Sequence, residues 1–149
     1  MDRHIADAVG HGATVRAGGR RASGFPTALY YEPTVLDAVP AAARVATEET
    51  FGPIAPLIRL ATDDEILEVA NSGEHGLVSA VFTQSLQRAW RFAERLETGS
   101  VVVNDTSNYW ELHLPFGGRA GRASGRGRLG GRHTLEEFTE PKTISFDVG

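Results

Sequence analysis

The sequence predicts an α/β protein whose parallel strands are joined by crossover helices. Three apolar runs, APLIRLA (55–61), GLVSAVFT (76–83) and SVVVN (100–104), alternate with two helical patterns. Strand–helix–strand–helix–strand is the order such a layer requires. Each helix also carries its own start signal. Thr62 with Glu65 three residues on is a T-x-x-E capping box, and Ser85 stands in the same place before the second helix. A length of 149 residues suits one domain, and 41% hydrophobic with 23% charged residues describes a folded chain rather than a disordered one.

The elements follow in order. Ile5, Ala8 and Val9 form the i, i+3, i+4 stripe of a short helix over Asp2–His11, and Gly12 ends it. ATVRAGGR is a short strand closed by Gly18-Gly19. YYEPTVLDAV is extended, with Pro33 favouring an edge or a strand start. In the first capped helix Ile66, Val69 and Ala70 face inward. In the second, Leu86, Ala89, Trp90, Ala93 and Leu96 do so. After Asn104 regularity lapses for nearly thirty residues, a length that in a compact domain marks function or disorder. HTLEEFTE resumes a helix. PKTISFDVG ends the chain as an alternating strand, with Ile144, Phe146 and Val148 on one face, and such a strand needs an edge to pair with.

Composition excludes several chemistries. There is no cysteine, so these residues hold no disulfide, thiolate nucleophile or zinc–thiolate site. The net charge of −4 argues against a protein dedicated to polyanions. No apolar run approaches the roughly 18–20 residues of a membrane span, and MDRHIADAVG lacks the pattern of a signal peptide. The expected location is the cytoplasm, with neither membrane nor nucleic acid as partner. His4, His11, His75, His113 and His133 show no ligand spacing, so no metal site is expected.

The irregular stretch includes PFGGRAGRASGRGRLGG (115–131), with seven glycines, four arginines and no acid. Gly125-x-Gly127-x-x-Gly130 matches the dinucleotide fingerprint in form only, because no strand precedes it and no acidic residue closes a βαβ unit after it. A nucleic-acid arm would interleave aromatics with the arginines, and none does. A solvated loop is the plain alternative. Two further pieces stand out. ATEETFGPIAP (46–56) is a charged turn before a strand, or more than that. Tyr109-Trp110 followed by Pro115-Phe116-Gly117-Gly118 either covers a core edge or lines a site.

EETFGP, SVVVND, PFGG, SGRGRLGG and LEEFTEPKTI, in this order, resemble the aldehyde dehydrogenase superfamily, and the collinear resemblance spans essentially the whole chain. It implies the C-terminal portion of the three-layer catalytic domain over 1–139, an oligomerisation strand over 140–149, and no Rossmann-like cofactor domain. It implies that Glu49 bonds the nicotinamide ribose hydroxyls and Phe51 packs near the nicotinamide. Phe116, with Tyr109 and Trp110, would face the aldehyde, and the two large aromatics suit an aromatic or small apolar one. The strand Lys142–Asp147 would pair into a neighbouring subunit. One departure is the loop RAGRA (119–123), two residues longer than the family's usual x-K-x. The family oxidises aldehydes with NAD or NADP through a cysteine thiolate, which this chain does not possess. The expectation is therefore a fragment that is inactive and binds no cofactor tightly when alone. Its partners would be a companion N-terminal chain or further copies of itself. The alternative is an assembly module that completes a partner in trans.

Overall fold

Helix α1 (Asp2–Gly10) opens the first of two compact units, Met1–Gly73 and Glu74–Gly149, and the computed structural model describes all of residues 1–149. Ile5 and Ala8 enter a core with Ala13, Leu36, Val39, Ala43 and Val45, against which Tyr31, Ile54 and Ile58 pack. Val9, expected on the inward stripe, is exposed, and His4 is buried in its stead.

Three strands complete this unit: β1 (Thr14–Ala17), β2 (Thr34–Asp37) and β3 (Ile54–Pro56), in the order β1-β2-β3. β1 runs antiparallel to β2 and β3 parallel to it. Pro33 stands immediately before β2, where its missing N–H costs no ladder bond. A short helix, α2 (Arg44–Thr47), lies in the crossover from β2 to β3. β3 is brief because Pro56 cannot donate to a ladder. Pairing still continues one residue further, Leu57 N donating to Leu36 O at 2.8 Å and Val39 N to Leu57 O at 3.0 Å. Helix α3 (Asp63–Asn71) begins at the expected capping box: Glu65 N donates to Thr62 Oγ1 and Thr62 N to Glu65 Oε2. Its buried residue is Leu67. Ile66 and Val69 are half-buried, and Ala70 is exposed, contrary to the inward face expected for it.

In the second unit β4 (Val78–Val81) and β5 (Ser100–Val103) pair in parallel, with Val78 opposite Ser100 and Val81 opposite Val103. Helix α4 (Leu86–Arg95) makes the crossover. Parallel strands with crossover helices therefore form as the sequence predicts, but not in a single three-stranded layer: β3 pairs with β2, and β4 with β5. The repeating order of elements sets strand direction. It does not say which neighbour supplies the hydrogen bonds. On α4 the buried residues are Ala89 and Phe92, followed by Leu96, while Leu86 and Trp90 face solvent.

Helix α5 (Gly131–Phe138) closes the regular structure. Residues 140–149 form no strand within this chain, so the expected terminal strand has no ladder here. No helix is long and apolar enough to cross a membrane.

Candidate functional site

The exit of β5 sets the geometry of the second unit's cavity. Asn104 has φ 59°, a left-handed conformation that asparagine tolerates better than most residues. Its side chain grips the chain beyond β4 from both directions: Oδ1 accepts from Thr83 N at 2.8 Å and Nδ2 donates to Thr83 O at 3.0 Å. The backbone that follows turns through Asp105 and Thr106, with Tyr109 N donating to Thr106 O at 3.0 Å. Strand β5 thus forms one wall of a cavity of about 670 Å³, while Tyr109, Trp110, Leu114 and Phe116 form the other. That volume lies within the range typical of small-molecule sites. Asp105 is the one charged residue in the lining.

The aromatic wall is held by specific contacts. Trp110 Nε1 donates to Leu114 O at 3.3 Å, and the Trp110 and Phe116 rings meet at 5.5 Å with a 51° tilt. Such tilted pairs are favourable electrostatically. Phe116 is fixed through its backbone, donating to Leu129 O at 2.7 Å and accepting from Leu129 N at 2.8 Å. Tyr109 Oη donates to Glu111 Oε1 at 2.6 Å, and that bond to a carboxylate pushes the phenol's pKa up. Tyr109, Trp110 and Phe116, singled out in sequence, therefore share one cavity.

Glycine at the start of β5 is what lets these segments pass so closely. A Cβ on Gly99 would collide with the Gly117 carbonyl, so the start of β5 and the PFGG turn pack backbone to backbone. Two of the arginines, Arg122 and Arg128, are tethers. Arg122 pairs with Glu97, whose carboxyl it holds below the ordinary range. Arg119 N donates to Gly76 O at 2.9 Å and Ala123 N to Glu74 O at 2.8 Å, which pins the RAGRA loop along its length. Arg128 Nη1 donates to Gly118 O at 2.5 Å and Gly127 O at 2.9 Å.

The EETFGP segment lies in the first unit, between α2 and β3. Glu48 follows the last residue of α2, where Arg44 Nη2 donates to its Oε2 at 3.0 Å. That bond is the chief cause holding the Glu48 carboxyl below its ordinary pKa, assisted by a contact from His4. Glu49 is exposed. Phe51 is 91% exposed and has φ 47°, an uncommon conformation for a bulky residue. The structure thus places Glu49 and Phe51 side by side in one unit and the three aromatics in the other. Sequence reasoning missed Asn104, Asp105 and Leu114 around the cavity, and His4, Arg44 and Thr50 around the segment. Asn104, His4 and Thr50 have partners at least 21 residues away, beyond the reach of any local pattern, whereas Leu114 lies four residues from Trp110 and Arg44 four from Glu48, the i, i+4 spacing of a helical ion pair.

Comparison with known proteins places this arrangement. The sequence model of the aldehyde dehydrogenase family matches residues 1–144. A probable NADP-dependent succinate-semialdehyde dehydrogenase of Sinorhizobium fredii is 44% identical over 144 residues, covering 97% of this chain and 28% of that protein. A 3-sulfolactaldehyde dehydrogenase of Pseudomonas putida is 43% identical over 145 residues, covering 97% and 29%. Among solved structures, succinate-semialdehyde dehydrogenase from Burkholderia pseudomallei superposes with a TM-score of 0.84 at 40% identity, over 92% of this chain and 27% of that one. The chain thus spans less than a third of the length of the relatives it matches. With the match running through EETFGP, the β5 exit and the PFGG turn, this chain belongs to the aldehyde dehydrogenase family, as a partial segment of it.

Proposed function

We propose that this chain supplies the ribose-binding carboxylate and one wall of the aldehyde site to an NAD(P)-dependent aldehyde dehydrogenase, which oxidises an aldehyde to a carboxylic acid. The observation that carries this reading is the shared cavity of Tyr109, Trp110 and Phe116 against β5. An apolar wall of this kind excludes water and positions an uncharged substrate tail.

The first unit fits the cofactor. An exposed carboxylate next to an exposed aromatic, on backbone held in a left-handed conformation at Phe51, is an arrangement ready for a hydroxyl-bearing, flat-ringed ligand. Glu49 would accept from the two ribose hydroxyls, each charged hydrogen bond contributing roughly 1.5–3 kcal/mol. Phe51 would lie near the nicotinamide. A bound nicotinamide supplies the hydride acceptor. Nothing in these residues discriminates NAD from NADP, and alone the chain binds neither tightly.

By themselves the 149 residues catalyse nothing, because covalent attack on the aldehyde needs a thiolate and they contain no cysteine. A thiol-bearing partner chain would complete the site, and Lys142–Asp147 would join this chain to it or to further copies. Ile144, Phe146 and Val148 support this: all three are exposed, on backbone that finds no strand partner within the chain. Of the substrate, the lining favours an aromatic or small apolar aldehyde. Its one charge is the carboxylate of Asp105, which repels an anionic tail such as that of succinate semialdehyde.

The test is reconstitution with the thiol-bearing N-terminal portion of a relative. An active complex should prefer benzaldehyde or propanal to succinate semialdehyde by at least about tenfold in kcat/KM, and Glu49→Gln should raise the KM for the cofactor. Preference for the succinate compound would contradict the substrate assignment, and an unchanged cofactor KM would contradict the role of Glu49.

A further inference from the structure

His4 is the one histidine of this chain that is buried, 8% exposed, on the face of α1 turned towards α2. Its two ring nitrogens reach two residues that flank Glu49. Nδ1 lies 2.9 Å from Thr50 Oγ1, and Nε2 lies 3.1 Å from Glu48 Oε2. One imidazole therefore bridges the residue before Glu49 and the residue after it. A carboxylate only accepts, so Nε2 carries a proton and donates to Glu48. Nδ1 then accepts from the Thr50 hydroxyl, or donates to its oxygen if the ring is charged.

Two further contacts secure the same region. Asp7, one turn along α1, accepts from Arg44 N at 2.8 Å through Oδ2, satisfying a free amide at the start of α2. Arg44 in turn holds the same oxygen of Glu48, its Nη2 donating to Oε2 at 3.0 Å. Helix α1 thus grips α2 at its first amide through Asp7 and just past its end through His4. The six residues from Glu48 to Pro53 run between α2 and β3 without regular structure, and Phe51 sits there with φ 47°. Backbone in that region relaxes unless its surroundings fix it.

We propose that His4 is a positioning residue for Glu49: it fixes the backbone on both sides of that residue, so that the carboxylate is presented to the cofactor's ribose in one orientation. The proposal rests on the role given to Glu49 above. A carboxylate on a loose loop would bind the same hydroxyls but lose orientational freedom in doing so, which weakens binding.

Backbone ¹⁵N relaxation on the 149-residue chain tests the clamp without any cofactor. In the wild type, Glu48 to Phe51 should show order parameters near the roughly 0.85 of rigid backbone, and in His4→Ala Glu49 and Thr50 should fall below about 0.6. The amides of β2 and of α1 should not change. His4→Asn, which keeps a polar atom near the Nδ1 position, and His4→Gln, which keeps one near Nε2, should each restore part of the order. Thr50→Val, which leaves α1 intact, should loosen the segment even if His4→Ala does not fold. A segment already mobile in the wild type, or rigid in Thr50→Val and His4→Ala alike, overturns the proposal. So does a loss of order spread evenly through α1 and the sheet.

In the reconstituted complex, His4→Ala should raise the cofactor KM about tenfold with kcat changed less than about twofold, and His4→Asn should recover part of the loss. A fall in kcat alone overturns the proposal. The parent reading fails separately: if Glu49→Gln leaves cofactor KM unchanged, Glu49 has no ribose to hold, whatever the relaxation data say of the clamp.

Discussion

Asp37, buried at the end of β2, ties three segments of the first unit together. Arg16 Nη2 donates to its Oδ2 at 3.0 Å from β1, and Arg59 Nη2 donates to its Oδ1 at 3.0 Å from the chain beyond β3. Ala38 N, on backbone with φ 55°, donates to Oδ1 at 2.8 Å. Arg16 first, then Arg59 and the Ala38 amide, hold this carboxyl below the ordinary aspartate pKa. The folded value is thus lower than the unfolded one, so the stabilisation is complete above the unfolded pKa and lost as pH falls through the folded one. Melting temperature should drop as pH goes below about 4. Asp37→Asn should lower it at neutral pH and flatten that acid limb, and thermal melts across a pH series decide the matter. Acid limbs of equal steepness would show that Asp37 contributes nothing to them. The two arginines stand 21 and 22 residues from their partner, so no sequence pattern announces this cluster. Glu49, Phe51, Tyr109, Trp110 and Phe116 entered the candidate site because a family resemblance named them. His4 was not, because its value lies in two contacts more than forty residues away.

Helix α4 shows what periodicity resolves and what it leaves ambiguous. Its start was plain from Ser85, whose Oγ accepts from Arg88 N at 3.2 Å, and the α3 capping box was equally local. Its buried face was not. Leu86, Trp90 and Ala93 share one helical stripe, while Ala89, Phe92 and Leu96 share another, and each contains an aromatic. Packing chose the second: Phe92 is 5% exposed and Trp90 62%. Urea unfolding should therefore separate them. Phe92→Ala should cost about 3–5 kcal/mol, whereas Trp90→Ala should stay within about 0.5 kcal/mol, as for an exposed site. Equal losses would mean that Trp90 is covered in solution. The strands divide in the same way. β2, β4 and β5 lie where the apolar runs and Pro33 placed them. The exchange of partners between β3 and β4 was hidden, because pairing depends on hydrogen bonds from chain that lies elsewhere in the sequence.

For the chain as a whole, the buried apolar residues number eleven, and only Leu36 and Leu67 are large side chains fully enclosed. A chain of about 150 residues ordinarily buries about 68–70% of its surface. This small core, with Leu86, Trp90, Phe138, Phe146 and Val148 all exposed, accounts for the proposal that further protein covers this one. The same division governs chemistry. One unit carries the carboxylate and aromatic proposed to meet the cofactor, the other carries an apolar cavity, and neither carries a cysteine. The most direct measurement is the appearance of reduced nicotinamide when the purified 149-residue chain is mixed with aldehyde and NAD+ or NADP+, before and after a thiol-bearing N-terminal portion is added. The account predicts no signal above blank at first and turnover once the thiol arrives. Turnover by the cysteine-free chain alone would contradict it.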